Sequence, residues 1–134
     1  MIAVDSSVVV AGFASWHDHH AAARGALARK PRLPAHVALE AFSVLTRLPP
    51  PHRFDAKLVG ELLAAHFPDT PLTLPGRQQK ALIELAVEAG VTGGSIYDAL
   101  VASTANHAGA TLLTRDRRAR PVYELVGVSF EFVG

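Results

Sequence analysis

The sequence contains no cysteine. That absence excludes a disulfide scaffold, a cysteine-based zinc site and a thiol nucleophile, and it makes a reducing cytosol the natural compartment. Long apolar runs are missing as well. None approaches the roughly 20 residues of a membrane span, so no membrane association is expected. The opening stretch Met1-Ile2-Ala3-Val4-Asp5 lacks the basic region that precedes the apolar part of a signal peptide, and reads as the first strand of a domain. There is no Gly-x-Gly-x-x-Gly and no P-loop, which leaves nucleotide cofactors without support. There is no Gly-x-Ser-x-Gly elbow for a serine hydrolase. An aspartate-nucleophile phosphatase usually shows Asp-x-Asp, and here Asp5 is followed by Ser6-Ser7. Neither sign of charge dominates: the formal net charge is +1, which by itself argues for no partner.

What remains describes one domain, residues 1–134. The 134 residues are 49% hydrophobic and mean hydropathy is +0.22, enough to bury a core without staples. Ile2-Ala3-Val4 is a short apolar run, and Val8-Val9-Val10 with Phe13 continues it as a buried helix. Alanine-rich Trp16 to Lys30 is helical in pattern. Pro31 and Pro34 bracket Arg32-Leu33 as a brief strand or extended link. His36 to Leu48 is amphipathic, with Val37, Ala41, Val44, Leu45 and Leu48 on one face and a polar stripe of His36, Glu40, Ser43 and Arg47. Pro49-Pro50-Pro51 stops it. Helical patterns follow over Phe54–Phe67, Arg77–Ala89, Ser95–His107 and Arg117–Leu125. Gly90 is placed to end the second of these. Leu72-Thr73-Leu74, Thr111–Thr114 and Val128–Phe132 read as further strands. Alternating strands and helices predict an α/β fold, a parallel sheet of four or five strands with helices on both faces.

In such sheets the functional crevice lies beyond the C-terminal ends of the strands. Asp5 directly follows the first strand, and Asp116 almost directly follows Leu112-Leu113-Thr114. Asp5 is also well placed to cap the next helix, and Asp116 to form a surface ion pair between Arg115 and Arg117. Glu40 lies on a helical polar stripe, at the crevice rim or in open solvent. Asp98 sits in the apolar run Ile96 to Val101, where a carboxylate needs a partner, yet Ser95-x-x-Asp98 equally has the spacing of a capping box. Taken together, four acids without Cys form a hard-oxygen set suited to Mg²⁺ or Mn²⁺, the ions of phosphoryl chemistry. Arg115, Arg117 and Arg118 crowd beside Asp116, as a solvated face or as phosphate binders. His17, His19 and His20 read as polar surface, because a fourth metal ligand is not evident.

Ile2-Ala3-Val4-Asp5-Ser6-Ser7-Val8, the helical Glu40, Tyr97-Asp98-Ala99-Leu100-Val101-Ala102 and Leu112-Leu113-Thr114-Arg115-Asp116 together resemble a PIN domain. They are most similar to the VapC toxins of bacterial toxin–antitoxin pairs. The resemblance covers the chain in length and order, and Tyr97 to Asp116 is its most specific part. It implies an endoribonuclease using Mg²⁺ or Mn²⁺, with Asp5, Glu40, Asp98 and Asp116 as the metal-binding acids and Ser7 and Thr114 as supporting hydroxyls. It also implies a VapB-type antitoxin partner, an RNA substrate and a homodimer inside a larger toxin–antitoxin complex. Relatives often carry another acid or Asn after the fourth acid. Here Arg117, Arg118 and Ala119 stand there, so the resemblance carries over one metal more safely than two, with a second binding weakly or only when RNA is present. Phe13, Trp16, Phe42, Leu45 and Phe54 are large apolar residues that either belong to the core or line an antitoxin groove. The alternative to an enzyme is a catalytically silent domain of the same fold that binds protein or RNA.

Overall fold

The chain begins with β1 (Ile2–Val4), which leads through Asp5 into α1 (Ser6–Phe13). A series of helices follows: α2 (His20–Ala28), α3 (Ala35–Thr46), α4 (Ala56–His66), α5 (Gly76–Ala89) and α6 (Ser95–His107). The chain then returns to the sheet in β2 (Thr111–Thr114), makes a 3₁₀ turn over Arg117–Ala119, and ends with α7 (Arg120–Val126) and β3 (Phe130–Phe132). The structure is a computed structural model and describes residues 1–134.

The sheet has three strands in the order β1-β2-β3, all parallel. Ile2 pairs with Thr111 and Val4 with Leu113, while Leu112 pairs with Phe130. Neighbouring residues of one strand face opposite sides of a sheet. Ala3 and Val4 in β1, and Leu112 and Leu113 in β2, are all 0% exposed, so both faces are covered, as a parallel sheet requires. α1 packs on α2, α3 and β2, and α6 packs on α3, α5, α7 and β2.

Three strands are fewer than the four or five predicted. Arg32-Leu33 and Leu72-Thr73-Leu74 do lie alongside the sheet, but each is reduced to single bridges, Ala3 to Arg32 and Pro34 to Leu72. The reason is proline. Pro31, Pro34, Pro71 and Pro75 flank these segments, and a proline cannot donate to a ladder. The backbone bonds that remain are Val4 N–H to Arg32 O (3.2 Å), Arg32 N–H to Ile2 O (2.8 Å), Leu72 N–H to Leu33 O (2.9 Å) and Ala35 N–H to Leu72 O (2.8 Å).

Three helix boundaries also differ from expectation. Trp16 to His19 form turns, and α2 starts only at His20. The segment after Asp116 is divided into a 3₁₀ turn and a helix, because Pro121 sits where only a fresh helix start accepts it. Gly94, not Ser95, stands at the N-cap of α6, and no side chain caps that end. The Gly90 end of α5 is as expected, with φ 74 in the left-handed region.

Candidate active site

Asp5 sits where β1 hands over to α1 and is 4% exposed. Its backbone N–H bonds to Leu113 O of β2 at 3.1 Å, which ties the residue to the sheet. The capping role considered for it is real. Oδ1 accepts from the backbone N–H of Ser7 (3.1 Å) and of Val8 (3.4 Å), and also from the Ser7 hydroxyl. Oδ2 accepts from the Thr114 hydroxyl and from the Tyr123 hydroxyl at 2.9 Å. Burial pushes the Asp5 carboxyl upward, and these donors oppose the shift. A buried carboxylate surrounded by donors is held in one orientation.

The two hydroxyls each do a second job. Ser7 Oγ accepts from the Arg115 N–H at 2.8 Å, and Thr114 Oγ1 accepts from the Asp116 N–H at 3.0 Å. Ser7 and Thr114 thus link Asp5 to the backbone of the loop after β2, over a separation of more than a hundred residues. This loop carries Asp116, whose Oδ1 accepts from the Arg118 N–H (3.1 Å) and whose Oδ2 accepts from the Arg118 guanidinium (3.1 Å).

Glu40 and Asp98 approach from α3 and α6. Burial, then the charges of Asp98 and Asp5, push the Glu40 carboxyl up to about 7. Burial, then Asp116, raise Asp98, while Arg118 works against the shift. After burial, the smaller causes are the other acids, Asp98 and Asp5 acting on Glu40 and Asp116 and Asp5 on Asp98, so the four lie in one neighbourhood. The capping box proposed as an alternative for Asp98 does not form, since no side-chain cap bond exists at the start of α6.

Tyr123 was not among the residues singled out from the sequence. It is 2% exposed and donates to Asp5 from α7, the far end of the chain. Burial and the neighbouring Asp5 charge push its hydroxyl above the ordinary tyrosine range, which keeps it a proton donor. A Tyr placed among the apolar positions of a short helix was the available signal, because a buried phenol needs a partner. His36 and Tyr97 stood in the polar stripe and in the Tyr97–Asp116 segment without a role of their own. Their rings stack at 5.0 Å with 8° between planes, and His36 Nε2 lies 3.6 Å from Glu40 Oε1.

The arginines separate. Arg118 stays with the acids and is exposed. Arg117 lies over the Phe132 ring at 4.3 Å. The Arg115 side chain runs toward Gly134 and His17, and its buried Nε has no hydrogen-bond partner. The five large apolar residues do not form one exposed groove. Leu45 is 0% and Phe13 9% exposed, both in the core, and Phe54 packs partly buried against it. Trp16 (45%) and Phe42 (40%) are open to solvent, and Trp16 rests on the His52 ring at 4.3 Å. Of the histidines, His20 Nδ1 pairs with Ala11 O at 2.9 Å and His17 Nδ1 accepts from the His19 N–H at 3.1 Å.

The donor set fits a hard divalent ion. All four acids offer oxygen, and burial followed by like charge raises Glu40 and Asp98. No three of them converge tightly enough to cage an ion unaided. That suits Mg²⁺, which keeps several of its waters and takes only one or two carboxylates.

Asp5 and Asp116 beyond the C-terminal ends of β1 and β2, with Glu40 and Asp98 near enough on α3 and α6 to feel their charge, define a class, and comparison with known proteins agrees with it. Residues 2–125 match the sequence model of the PIN domain, and the chain belongs to that family. It is similar to Ribonuclease VapC40 of Mycobacterium tuberculosis, at 51% identity over 133 residues spanning 99% of each chain. It is also 40% identical over 128 residues to Ribonuclease VapC27 of the same species, covering 95% of this chain and 93% of that one.

Proposed function

We propose that this chain is a metal-dependent endoribonuclease and the toxin of a VapBC-type pair, hydrolysing RNA phosphodiester bonds. The observation that supports this reading most is the coupling of Glu40, Asp98, Asp116 and Asp5 through their charges, around an Asp5 carboxylate locked by five donors. The names of the relatives, both ribonucleases, point the same way. Asp5, Asp98, Asp116 and Glu40 are the residues that would hold Mg²⁺ or Mn²⁺. When bound, such an ion supplies charge for the phosphate oxygens and lowers the pKa of a water. The chain's own groups do the rest. Ser7, Thr114 and Tyr123 keep Asp5 oriented. Arg118, the exposed cation beside the acids, meets the phosphate. Glu40, pushed up to about 7 by burial and by its acidic neighbours, gains most from a bound cation that offsets those charges.

The partners follow from the same reading: an RNA substrate, a VapB-type antitoxin docking by way of Trp16 and Phe42, and a homodimer within the larger complex. The test is cleavage of RNA by the purified chain with Mg²⁺ or Mn²⁺, silenced by EDTA and by Asp98→Asn or Asp116→Asn. Cleavage that survives both substitutions in folded protein refutes the site. Binding of RNA without cleavage under any metal would assign the chain to the silent binding modules.

A further inference from the structure

The acid crevice has an electrostatic difficulty as a binding site. Its carboxylates repel the backbone of RNA, and only Arg118 offers an exposed opposing charge among them. Affinity on that side must come from contacts that charge does not weaken. The structure holds one such surface. Tyr97 is 52% exposed, an unusual position for a large ring beside a polar site. One face lies parallel against His36 at 5.0 Å and 8°, so the pair is braced across α3 and α6. Tyr97 is the residue before Asp98, and His36 is one helical turn before Glu40 and within 3.6 Å of it. The stack therefore borders both acids. A flat ring braced on one side and about half open to solvent is the kind of surface on which an unpaired base stacks, independently of which base it is.

We infer that Tyr97, backed by His36, is the platform for one unpaired RNA base next to the bond that is cut. The platform selects RNA whose base at that position is out of a helix, as in a loop or a single strand, since a paired base does not expose its face. This rests on the ribonuclease reading above and adds the side chains that position the RNA. Tyr97 is a positioning residue, and Asp98 beside it stays free for the ion.

The probe is a short single-stranded oligoribonucleotide of mixed sequence, together with a ribose-phosphate chain of the same length that lacks bases. Wild type, Tyr97→Phe and Tyr97→Leu are compared for binding in EDTA and for kcat and KM with Mn²⁺. Loss of one base–aromatic stack weakens binding by about tenfold or more. The expected result is a rise of about that size in Kd and KM for Tyr97→Leu, restoration by Tyr97→Phe, and a smaller change in kcat. The salt dependence of binding stays that of wild type, because no phosphate contact is lost. On the base-free chain all three proteins bind alike. A Tyr97→Leu protein that folds and binds the oligoribonucleotide as wild type does overturns the platform, whether or not cleavage occurs. Equal weakening on the base-free chain overturns it also. If wild type binds in a Tyr97-dependent way and cuts nothing, the platform stands and the nuclease reading falls.

Discussion

Replacing Glu40 by Gln should stabilise the protein when no metal is present, and the structure sets the size. Glu40 titrates at about 7 in the folded chain against 4.5 for an unperturbed glutamate, with burial first and then Asp98 and Asp5 as causes. The folded pKa is raised, so the Glu40 contribution is fully present below about pH 4.5 and is lost as pH rises through about 7. At about 1.36 kcal/mol per pH unit, that gap sets a ceiling of about 3 kcal/mol. The side chain is 33% exposed, and solvent screening reduces the figure to about 1–2 kcal/mol. His36 lies 3.6 Å away but offers no rescue at alkaline pH, because burial holds its imidazole below the usual value and neutral. In EDTA at pH 8 the Glu40→Gln protein should therefore melt above wild type by roughly 3–8 °C, and the two should converge near pH 4.5. Excess Mn²⁺ should shrink or reverse the gap, since wild type gains binding energy that the variant partly forfeits. The assay is thermal melting across pH 4.5 to 8, with and without Mn²⁺. A Glu40→Gln protein that melts below wild type in EDTA at pH 8 would refute the idea that Glu40 is electrostatically frustrated.

Asp98→Asn should abolish RNA cleavage yet melt no lower than wild type in EDTA, because Asp98 makes no cap bond and its charge is disfavoured; a large drop in melting temperature would restore the capping account. Tyr123→Phe removes the 2.9 Å bond to Asp5, a neutral-to-charged hydrogen bond, and should cost about 1.5–3 kcal/mol in denaturant titration together with a fall in kcat from a less firmly held Asp5. Unchanged stability there would mean that Asp5 does not depend on the phenol. Trp16→Ala should weaken antitoxin binding while the free protein still cuts RNA, since Trp16 is 45% exposed and lies outside the acid cluster; binding measured by calorimetry that does not change would remove Trp16 from the proposed antitoxin contact. Leu45→Asp, in contrast, buries a charge at a 0% exposed core position and should unfold the protein, seen as loss of the cooperative melt.

Local rules made much of this chain legible before its coordinates. Apolar alternation and helical periodicity depend on nearby residues, so β1, β2, α3, α5 and α6 emerge from the sequence with bounds close to those observed. The absence of cysteine and the hard-oxygen character of the acids are properties of composition, and the position of Asp5 and Asp116 after strands is a property of order along the chain. The number of strands was a closer matter. Hydrophobicity at Leu33 and Leu72 speaks for strands, but the prolines beside them remove the donors that a ladder needs. Other features depend on which distant segments meet, and no local pattern carries that. Tyr123 finds Asp5 across nearly the whole chain, and the Ser7 and Thr114 hydroxyls face each other across Asp5 only because β1 pairs in register with β2. Large apolar residues look alike in one dimension, yet Leu45 is core and Phe42, three positions earlier on the same helix, is surface. The same holds for charge: Arg115, Arg117 and Arg118 are neighbours in sequence, but the loop after β2 and the 3₁₀ turn that follows Asp116 leave their side chains in three different environments, and only Arg118 stays with the acids.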